Sequence, residues 1–231
     1  MKQTSKKKLI FAAIFTGLGL VALQVPFTNI VGSNSHFTLF DFFAPVAGGF
    51  LGGFIGVISV LIMQIANWLI HGVQFEAAFL IRLWPVLFAV WYFSPQAKSR
   101  YNVILPLACM ALFMIHPIGR QAFIYSFYWL IPVIMFFFKD KSLLAKSLGA
   151  TFTAHAVGGV LWLYVFNLPK DVWLGLIPQV ALERGMFAVG IAATYIVFVN
   201  LLDAVMQWSK LDLSFVNYNR QWLLRTHLAK K

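Results

Sequence analysis

Apolar residues in this chain form long blocks that alternate with short polar or basic stretches. A helix needs about 20 apolar residues to cross the hydrocarbon core of a bilayer, and most of the blocks approach that length. The pattern therefore predicts an all-α protein, a polytopic transmembrane helix bundle of about six to eight membrane segments. The expected segments are Leu9–Val31, Phe37–Gly49, Leu51–Ile70, Glu76–Phe93, Tyr101–His116, Gln121–Phe138, Ser147–Phe166 and Trp173–Val205.

Composition supports an integral membrane protein. Of the 231 residues, 61% are hydrophobic and 11% are charged, whereas about a quarter of a soluble domain is charged. We expect a basic cytoplasmic N-terminus (1–8), a transmembrane bundle (9–205) and a basic, aromatic cytoplasmic tail (206–231), in a multi-pass protein of the cell membrane. Such a layout leaves no room for a soluble catalytic domain.

The charge and cysteine content narrow the possible functions. A net charge of +11 indicates basic residues on the cytoplasmic side of membrane spans, and no nucleic-acid partner is expected. The single cysteine, Cys109, excludes a disulfide within the chain and a cysteine-based metal site. We predict neither a metal site nor a cofactor.

A glycine-rich stretch decides the topology. As one helix, the segment 37–70 would be about 50 Å long, which far exceeds a bilayer core of about 30 Å. A hairpin near the glycines places both termini and the basic clusters at 98–100, 139–146 and in the tail in the cytoplasm. The basic residues left elsewhere are Arg82, Arg120, Lys170 and Arg184. Glycines at i, i+4, such as Gly48, Gly52 and Gly56, are also typical of close helix packing.

The segment 37–68, FTLFDFFAPVAGGFLGGFIGVISVLIMQIANW, resembles the second and third segments of the substrate-binding S components of energy-coupling-factor vitamin transporters. In that family a short apolar stretch, an Ala-Gly (here Ala47-Gly48), a Gly-rich turn and a second apolar helix follow one another. The family packs its first helix on a transmembrane coupling subunit through small residues four apart, and Ala13 and Gly17 fit that spacing. The resemblance covers about the first 70 residues.

The resemblance implies a function and its partners. The chain would be a membrane-embedded subunit, not an enzyme, that captures a small nutrient, a vitamin or a heterocyclic precursor, from outside. A transmembrane coupling subunit and cytoplasmic ATPases would energise uptake. Members usually have six spans, whereas eight segments are expected here. Members that take up metal have a histidine near the N-terminus, and MKQTSKKK has none, so nickel or cobalt is not expected.

Polar residues gather toward the outer ends of the expected spans. Charged groups inside a membrane are costly and usually face a partner or a wet cavity. We therefore predict a polar cavity open to the outside, in which aromatic rings stack on the substrate and polar groups fix its edge. The candidate substrate-binding residues are Gln64, Asn67, His71, Arg82, Trp84, His155, Trp162, Gln179, Glu183 and Arg184.

Several of these residues have structural interpretations as well. Glu183 and Arg184 are adjacent and project about 100° apart on a helix, so we expect them to pair with other residues, for example Glu183 with His155 or Arg82. Gln64 and Asn67 fit ligand contacts and interhelical hydrogen bonds equally well. Trp173 is interpreted as an interface aromatic. The tail at 206–231 fits membrane lipids or a cytoplasmic partner.

Two other functions remain open. Broken glycine-rich segments are compatible with an ion-coupled secondary transporter. An intramembrane enzyme could use Glu183, Arg184, His155 and His116 as acid or base groups on a lipid-linked substrate. The sequence lacks the H-E-x-x-H metal motif and the G-x-S-x-G serine elbow. It also lacks a nucleotide-binding loop, so the energy for uptake must come from a partner ATPase or an ion gradient.

Overall fold

Helices provide nearly all of the secondary structure in the computed structural model, which describes residues 2–29, 36–72, 77–95, 100–209, 216 and 219–224. The described part of the chain agrees with the expected all-α class. Its α-helices are α1 (Lys2–Leu23), α2 (Phe40–Leu51), α3 (Gly53–His71), α4 (Ala77–Phe93), α5 (Tyr101–Ile115), α6 (Pro117–Gln121), α7 (Leu130–Phe136), α8 (Leu143–Phe166) and α9 (Lys170–Ser209). Short 3-10 helices cover Phe123–Trp129 and Arg220–Trp222.

Three of the described helices are long and apolar enough to cross a membrane, namely α3, α8 and residues Lys170–Trp208 of α9. With 40 residues, α9 is about 60 Å long. Shorter apolar stretches of 10 to 17 residues lie in α1, α2, α4, α5 and the region from Phe123 to Phe136. The lengths and compositions are compatible with a protein of the membrane.

The glycine-rich stretch folds back at Gly52. This residue has φ 84° and ψ 171°, a backbone conformation that glycine adopts without a Cβ clash. It ends α2 and begins α3, so the two helices form a helical hairpin, as the charge distribution predicts. Gly52 and Gly53 are buried, which suits a turn at membrane depth, where exposed backbone polar groups would be costly.

Close helix packing explains why residue 48 is a glycine. A Cβ on Gly48 would lie 2.0 Å from the carbonyl oxygen of Val90 in α4. Only a residue without a side chain allows α2 to approach α4 so closely. The turn and the packing interpretations therefore both hold, at different glycines of the same stretch.

The prediction of one continuous segment over Leu9–Val31 is wrong, because α1 ends at Leu23. Pro26 has no backbone N–H to continue the helix, and Pro26–Asn29 forms strand β1 instead. It pairs antiparallel with β2 (His36–Thr38), with Thr28 opposite Phe37 and Asn29 opposite His36. We call this two-stranded sheet the β-ribbon.

Two helices continue beyond the limits expected for the membrane segments. The helix α1 begins at Lys2 and runs without a break through residues 2–8 into the first expected segment. The helix α9 continues to Ser209, beyond the expected end at Val205. The bundle therefore includes the helical ends of both expected terminal regions.

The described residues of the C-terminal tail pack against α9. The side chain of Asn200 donates to the carbonyl of Trp222 at 3.0 Å and accepts from the backbone N–H of Leu224 at 2.8 Å. The backbone N–H of Asn219 donates to the hydroxyl of Tyr195 at 3.1 Å. This part of the tail is attached to the bundle. Residues 210–215, 217–218 and 225–231 lie outside the described residues, and the expected lipid or partner contact of the tail stays a prediction.

The described residues form two apolar cores. The first surrounds Phe15, Phe50 and Val90 and draws on α1 to α4, the N-terminal half of α8 and the C-terminal half of α9. The second surrounds Phe113 and Trp129 and draws on α5, the first 3-10 helix, α8 and the N-terminal part of α9. Because α8 and α9 contribute to both cores, they hold the two halves together.

We expect Gly48→Ala to destabilise the protein by about 1–3 kcal/mol, because the new methyl group overpacks the contact between α2 and Val90. For a chain of this size, that cost lowers the melting temperature in detergent by several degrees. Gly17→Ala is the matched control, since nothing lies within 4 Å of a Cβ built there. Equal melting temperatures for the two variants would show that Gly48 is not a close-packing position.

Candidate functional site

A cavity of about 640 Å³ lies between the two cores. The β-ribbon, α2, α3, α4, the first 3-10 helix, α8 and α9 all contribute to its lining. Phe40 and Val86 of the first core face it, as do Trp173 and Val180 of the second. Its size is that of a small-molecule site.

Eight of the ten candidate binding residues line this cavity: Gln64, Asn67, Arg82, His155, Trp162, Gln179, Glu183 and Arg184. On α8, helical spacing places His155 and Trp162 on the same face as Thr151, which also lines the cavity. The other two candidates lie outside the lining. His71 is exposed at the end of α3, where its ring bonds the carbonyl of Asn67, and Trp84 is 53% exposed on α4.

Arg184 is the most deeply buried basic group of the cavity, with 5% exposure. Its guanidinium donates one long hydrogen bond to Thr151, at 3.4 Å. The rings of Phe37 and Phe187 lie 4.7 and 4.3 Å from its central carbon, in cation–π contact. The aromatic contacts stabilise the charge, and its Nε has no hydrogen-bond partner among the described residues.

Glu183 pairs with its neighbour, which corrects the sequence expectation. Its carboxylate lies 3.9 Å from Nη2 of Arg184 and accepts a hydrogen bond from Gln179 at 2.8 Å. Both long side chains bend toward the cavity, so their 100° separation on the helix does not keep them apart. The 3.9 Å separation is an ion pair without a hydrogen bond.

The β-ribbon is tied to the helices by two polar contacts. Arg82 of α4 donates to the backbone carbonyl of His36. The carboxylate of Asp41 accepts from the backbone N–H of Thr38 at 2.9 Å. Arg82 and Asp41 therefore both position the ribbon and bring one charge of each sign to the cavity lining.

His155 is held in one tautomer by its neighbours. The indole N–H of Trp129 donates to Nδ1 at 3.1 Å, so Nδ1 carries no proton and the proton of the neutral ring is on Nε2. That nitrogen lies 2.8 Å from the hydroxyl of Tyr125 and donates to it. The Tyr125 hydroxyl then keeps its own proton as a donor at the cavity wall.

Gln64 and Asn67 make interhelical hydrogen bonds and line the cavity as well. Gln64 donates to the carbonyl of Leu83 in α4 at 3.3 Å. Asn67 accepts from Gln24, at the end of α1, at 2.7 Å. The two interpretations of these residues are thus compatible, because one amide can link helices and still present an atom to the cavity.

Sequence reasoning missed several residues of the lining. Phe37, Tyr125, Thr151 and Phe187 carry no signal, since aromatic and hydroxyl side chains are common in apolar helices. Trp173, interpreted as an interface aromatic, is 2% exposed in the second core, and its indole donates to the carbonyl of Leu168 at 3.1 Å. Asp41 is an acidic residue in an otherwise apolar segment, and such an isolated charge is a sequence signal that could have identified it as a lining residue.

The predicted coupling residues lie on the outside of α1. Ala13 and Gly17 are exposed, and Ile10, Ile14 and Leu18 are exposed around them. Phe15 faces the core on the opposite side. This outer face is apolar and contains the small residues of the four-residue spacing.

The described residues contain no group of three or more His, Cys, Asp or Glu side chains that could hold a metal ion. The charged side chains of the cavity lining within the described chain are two acids and two bases: Asp41, Glu183, Arg82 and Arg184. The arrangement can bind a polar molecule through hydrogen bonds and enclose it with aromatic rings.

Comparison with known proteins gives one distant similarity. The chain is 21% identical to an uncharacterized protein of Methanocaldococcus jannaschii over 97% of this chain and 80% of that protein. No family model matches the chain, and no solved structure matches it.

We expect His155→Leu to destabilise the protein by about 1–3 kcal/mol, because it leaves the buried indole N–H of Trp129 without an acceptor. His71→Leu is the control, since His71 is exposed and its hydrogen bond to the carbonyl of Asn67 lies within its own helix. Thermal unfolding in detergent, followed by tryptophan fluorescence, measures both. A His155→Leu protein as stable as His71→Leu would contradict the hydrogen-bond chain.

Proposed function

We propose that this protein is a membrane-embedded substrate-binding subunit for the uptake of a small nutrient, a vitamin or a heterocyclic precursor. A transmembrane coupling subunit and cytoplasmic ATPases energise it. The observation that carries the proposal is the cavity of about 640 Å³ whose lining collects the isolated polar residues of otherwise apolar helices. Because charge is costly inside such a bundle, a cavity of this kind is expected to serve a ligand.

We propose further that the chain crosses the cell membrane several times, with both termini in the cytoplasm. The cavity is lined by the end of α1, the start of α2, the end of α3 and the start of α9. A smaller cavity of about 280 Å³ is lined by Gly49, Pro95, Lys139, Lys146 and Trp222. The basic loops and the tail therefore meet at one end, which supports a binding cavity open on the side opposite the cytoplasm.

The exposed face of α1 supports a partner-dependent mechanism. Ala13 and Gly17 lie on that face, where small residues allow another helix to approach closely. We propose that the coupling subunit contacts α1 there. After capture, the loaded subunit would tilt against this partner, driven by the ATPases, and release the nutrient inside.

The alternative functions have less support. Ion-coupled transporters form their sites at broken helices, whereas the break at Gly52 is not among the cavity-lining residues. An intramembrane enzyme needs a free acid or base, and both ring nitrogens of His155 are already in hydrogen bonds. His116 accepts from the backbone N–H of Ile118 as the cap of α6.

We expect Glu183→Gln to weaken ligand capture about tenfold, because it removes the charge that orients Arg184. The protein is purified from its own host in mild detergent, and native mass spectrometry measures how much small molecule it retains. Asp203→Asn, far along α9 from the cavity, is the matched control. Equal retention by both variants would count against the proposed site.

We expect Ala13→Trp to block nutrient uptake by intact cells while binding of the nutrient is unchanged. The bulky ring would prevent close approach of the coupling helix, yet it lies far from the cavity. Uptake and ligand retention are measured on the same variant, with Ile10→Trp as a control on the same exposed face. Normal uptake by the Ala13→Trp protein would reject α1 as the coupling face.

A further inference from the structure

Two buried side-chain nitrogens of the cavity lining have no hydrogen-bond partner among the described residues. They are Nε of Arg184 and Nε1 of Trp162, and both atoms are buried. A buried donor without an acceptor costs free energy that water or a protein group would normally recover. Both residues line the cavity, so a ligand that reaches these atoms would supply the missing acceptor.

The Arg184 donor is suited to a carboxylate. A guanidinium has five N–H donors in a planar fork that matches the two oxygens of a carboxylate. Arg184 donates one long bond, to Thr151, and its ion pair with Glu183 at 3.9 Å has no hydrogen bond. Both acidic side chains of the lining already accept a hydrogen bond, Glu183 from Gln179 and Asp41 from the backbone N–H of Thr38. Arg184 therefore has unmet donor capacity at this end of the cavity.

The two donors lie at opposite ends of the cavity. Thr151, which contacts Arg184, and Trp162 are separated by about 16 Å of rise along α8. Between them the lining includes Gly158 and Gly159, against which Pro85 and Trp129 pack closely. Tyr125 and Trp173, whose rings are 5.0 Å apart, lie beside this stretch. An elongated ligand that followed this stretch would have its middle beside aromatic rings, which suits a flat ring there.

The charge of the lining limits the ligand further. Two acidic and two basic side chains cancel within the described lining. A dianion such as a phosphate ester would leave the cavity with a charge of minus two, which is more costly in a low-dielectric bundle than the single charge of a carboxylate. Among anionic ligands, a monocarboxylate therefore meets the demand for acceptors at a smaller electrostatic cost than a dianion.

We propose that the ligand is a small, elongated monocarboxylate with a flat ring, whose carboxylate accepts hydrogen bonds from Arg184 and whose far end accepts one from Trp162. This inference rests on the proposed function, because it names the substrate class of the same cavity. It also assigns the two residues different tasks. Arg184 recognises the acid, and Trp162 selects for an acceptor at the other end.

The test compares three variants purified from host membranes. Arg184→Gln should lower the retention of the co-purified small molecule by about 10- to 100-fold, the loss expected for a hydrogen bond to a charged group. Trp162→Phe should lower it about fivefold while stability is unchanged, since the removed N–H has no protein partner to lose. The Arg120→Gln protein should retain as much small molecule as the unmodified protein, because Arg120 is exposed on α6. Trp162→Phe keeps an aromatic side chain at this position, so it still tests the proposal when the Arg184→Gln protein does not fold.

The chemical class is tested on the extracted compound and on a named probe. Mass spectrometry after methyl esterification should show that the compound carries a carboxyl group. In parallel, 4-acetamidobenzoate should raise the melting temperature of ligand-stripped protein, and 4-acetamidobenzamide, which has the same shape without the charge, should not. The acid has a carboxylate at one end, a flat ring and an amide carbonyl at the other end.

The possible results separate the two proposals. A retained compound without a carboxyl group, full retention by Arg184→Gln, or equal stabilisation by the benzamide overturns the carboxylate assignment and leaves the nutrient-binding function standing. A protein that retains no small molecule and gains no stability from 4-acetamidobenzoate contradicts the nutrient-binding function, and this inference with it.

Discussion

The charge of Arg184 lies inside an apolar helix bundle, and the arrangement around it follows from the need to hold that charge out of water. An isolated buried ion is too costly to persist, so it needs opposite charge, hydrogen bonds or aromatic faces. Here Glu183 supplies the opposite charge, Thr151 the hydrogen bond, and Phe37 and Phe187 the aromatic faces. These partners come from α8, α9 and the β-ribbon, which therefore have to meet at one place.

The glycines of the second and third helices make that meeting possible. Gly52 reverses the chain, and Gly48 lets α2 lie directly against the backbone of Val90 in α4. The hairpin completes the first core and leaves the start of α2, with Asp41, beside the cavity. Close packing at one end of the hairpin and a polar cavity at the other are thus two results of the same turn.

The sequence predicts most of the helices because each is an apolar block between polar or glycine-rich breaks. It predicts much of the site because residues such as Asn67, His155 and Arg184 are conspicuous in apolar helices. The β-ribbon was missed because strands of three and four residues carry too few positions to show alternation. The contact between Glu183 and Arg184 was misjudged because helix geometry fixes where a side chain starts, and long flexible side chains end elsewhere.

The central claim is that the cavity opens on the side of the membrane opposite the basic loops. With Cys109 replaced by serine, Lys170→Cys reports on the cavity end and Lys141→Cys on the basic end, and both positions are exposed. A membrane-impermeant maleimide added to intact cells should label Lys170→Cys and leave Lys141→Cys unlabelled until the cells are permeabilised. Labelling of Lys141→Cys in intact cells, with Lys170→Cys protected, would contradict the account, because the cavity would then face the cytoplasm.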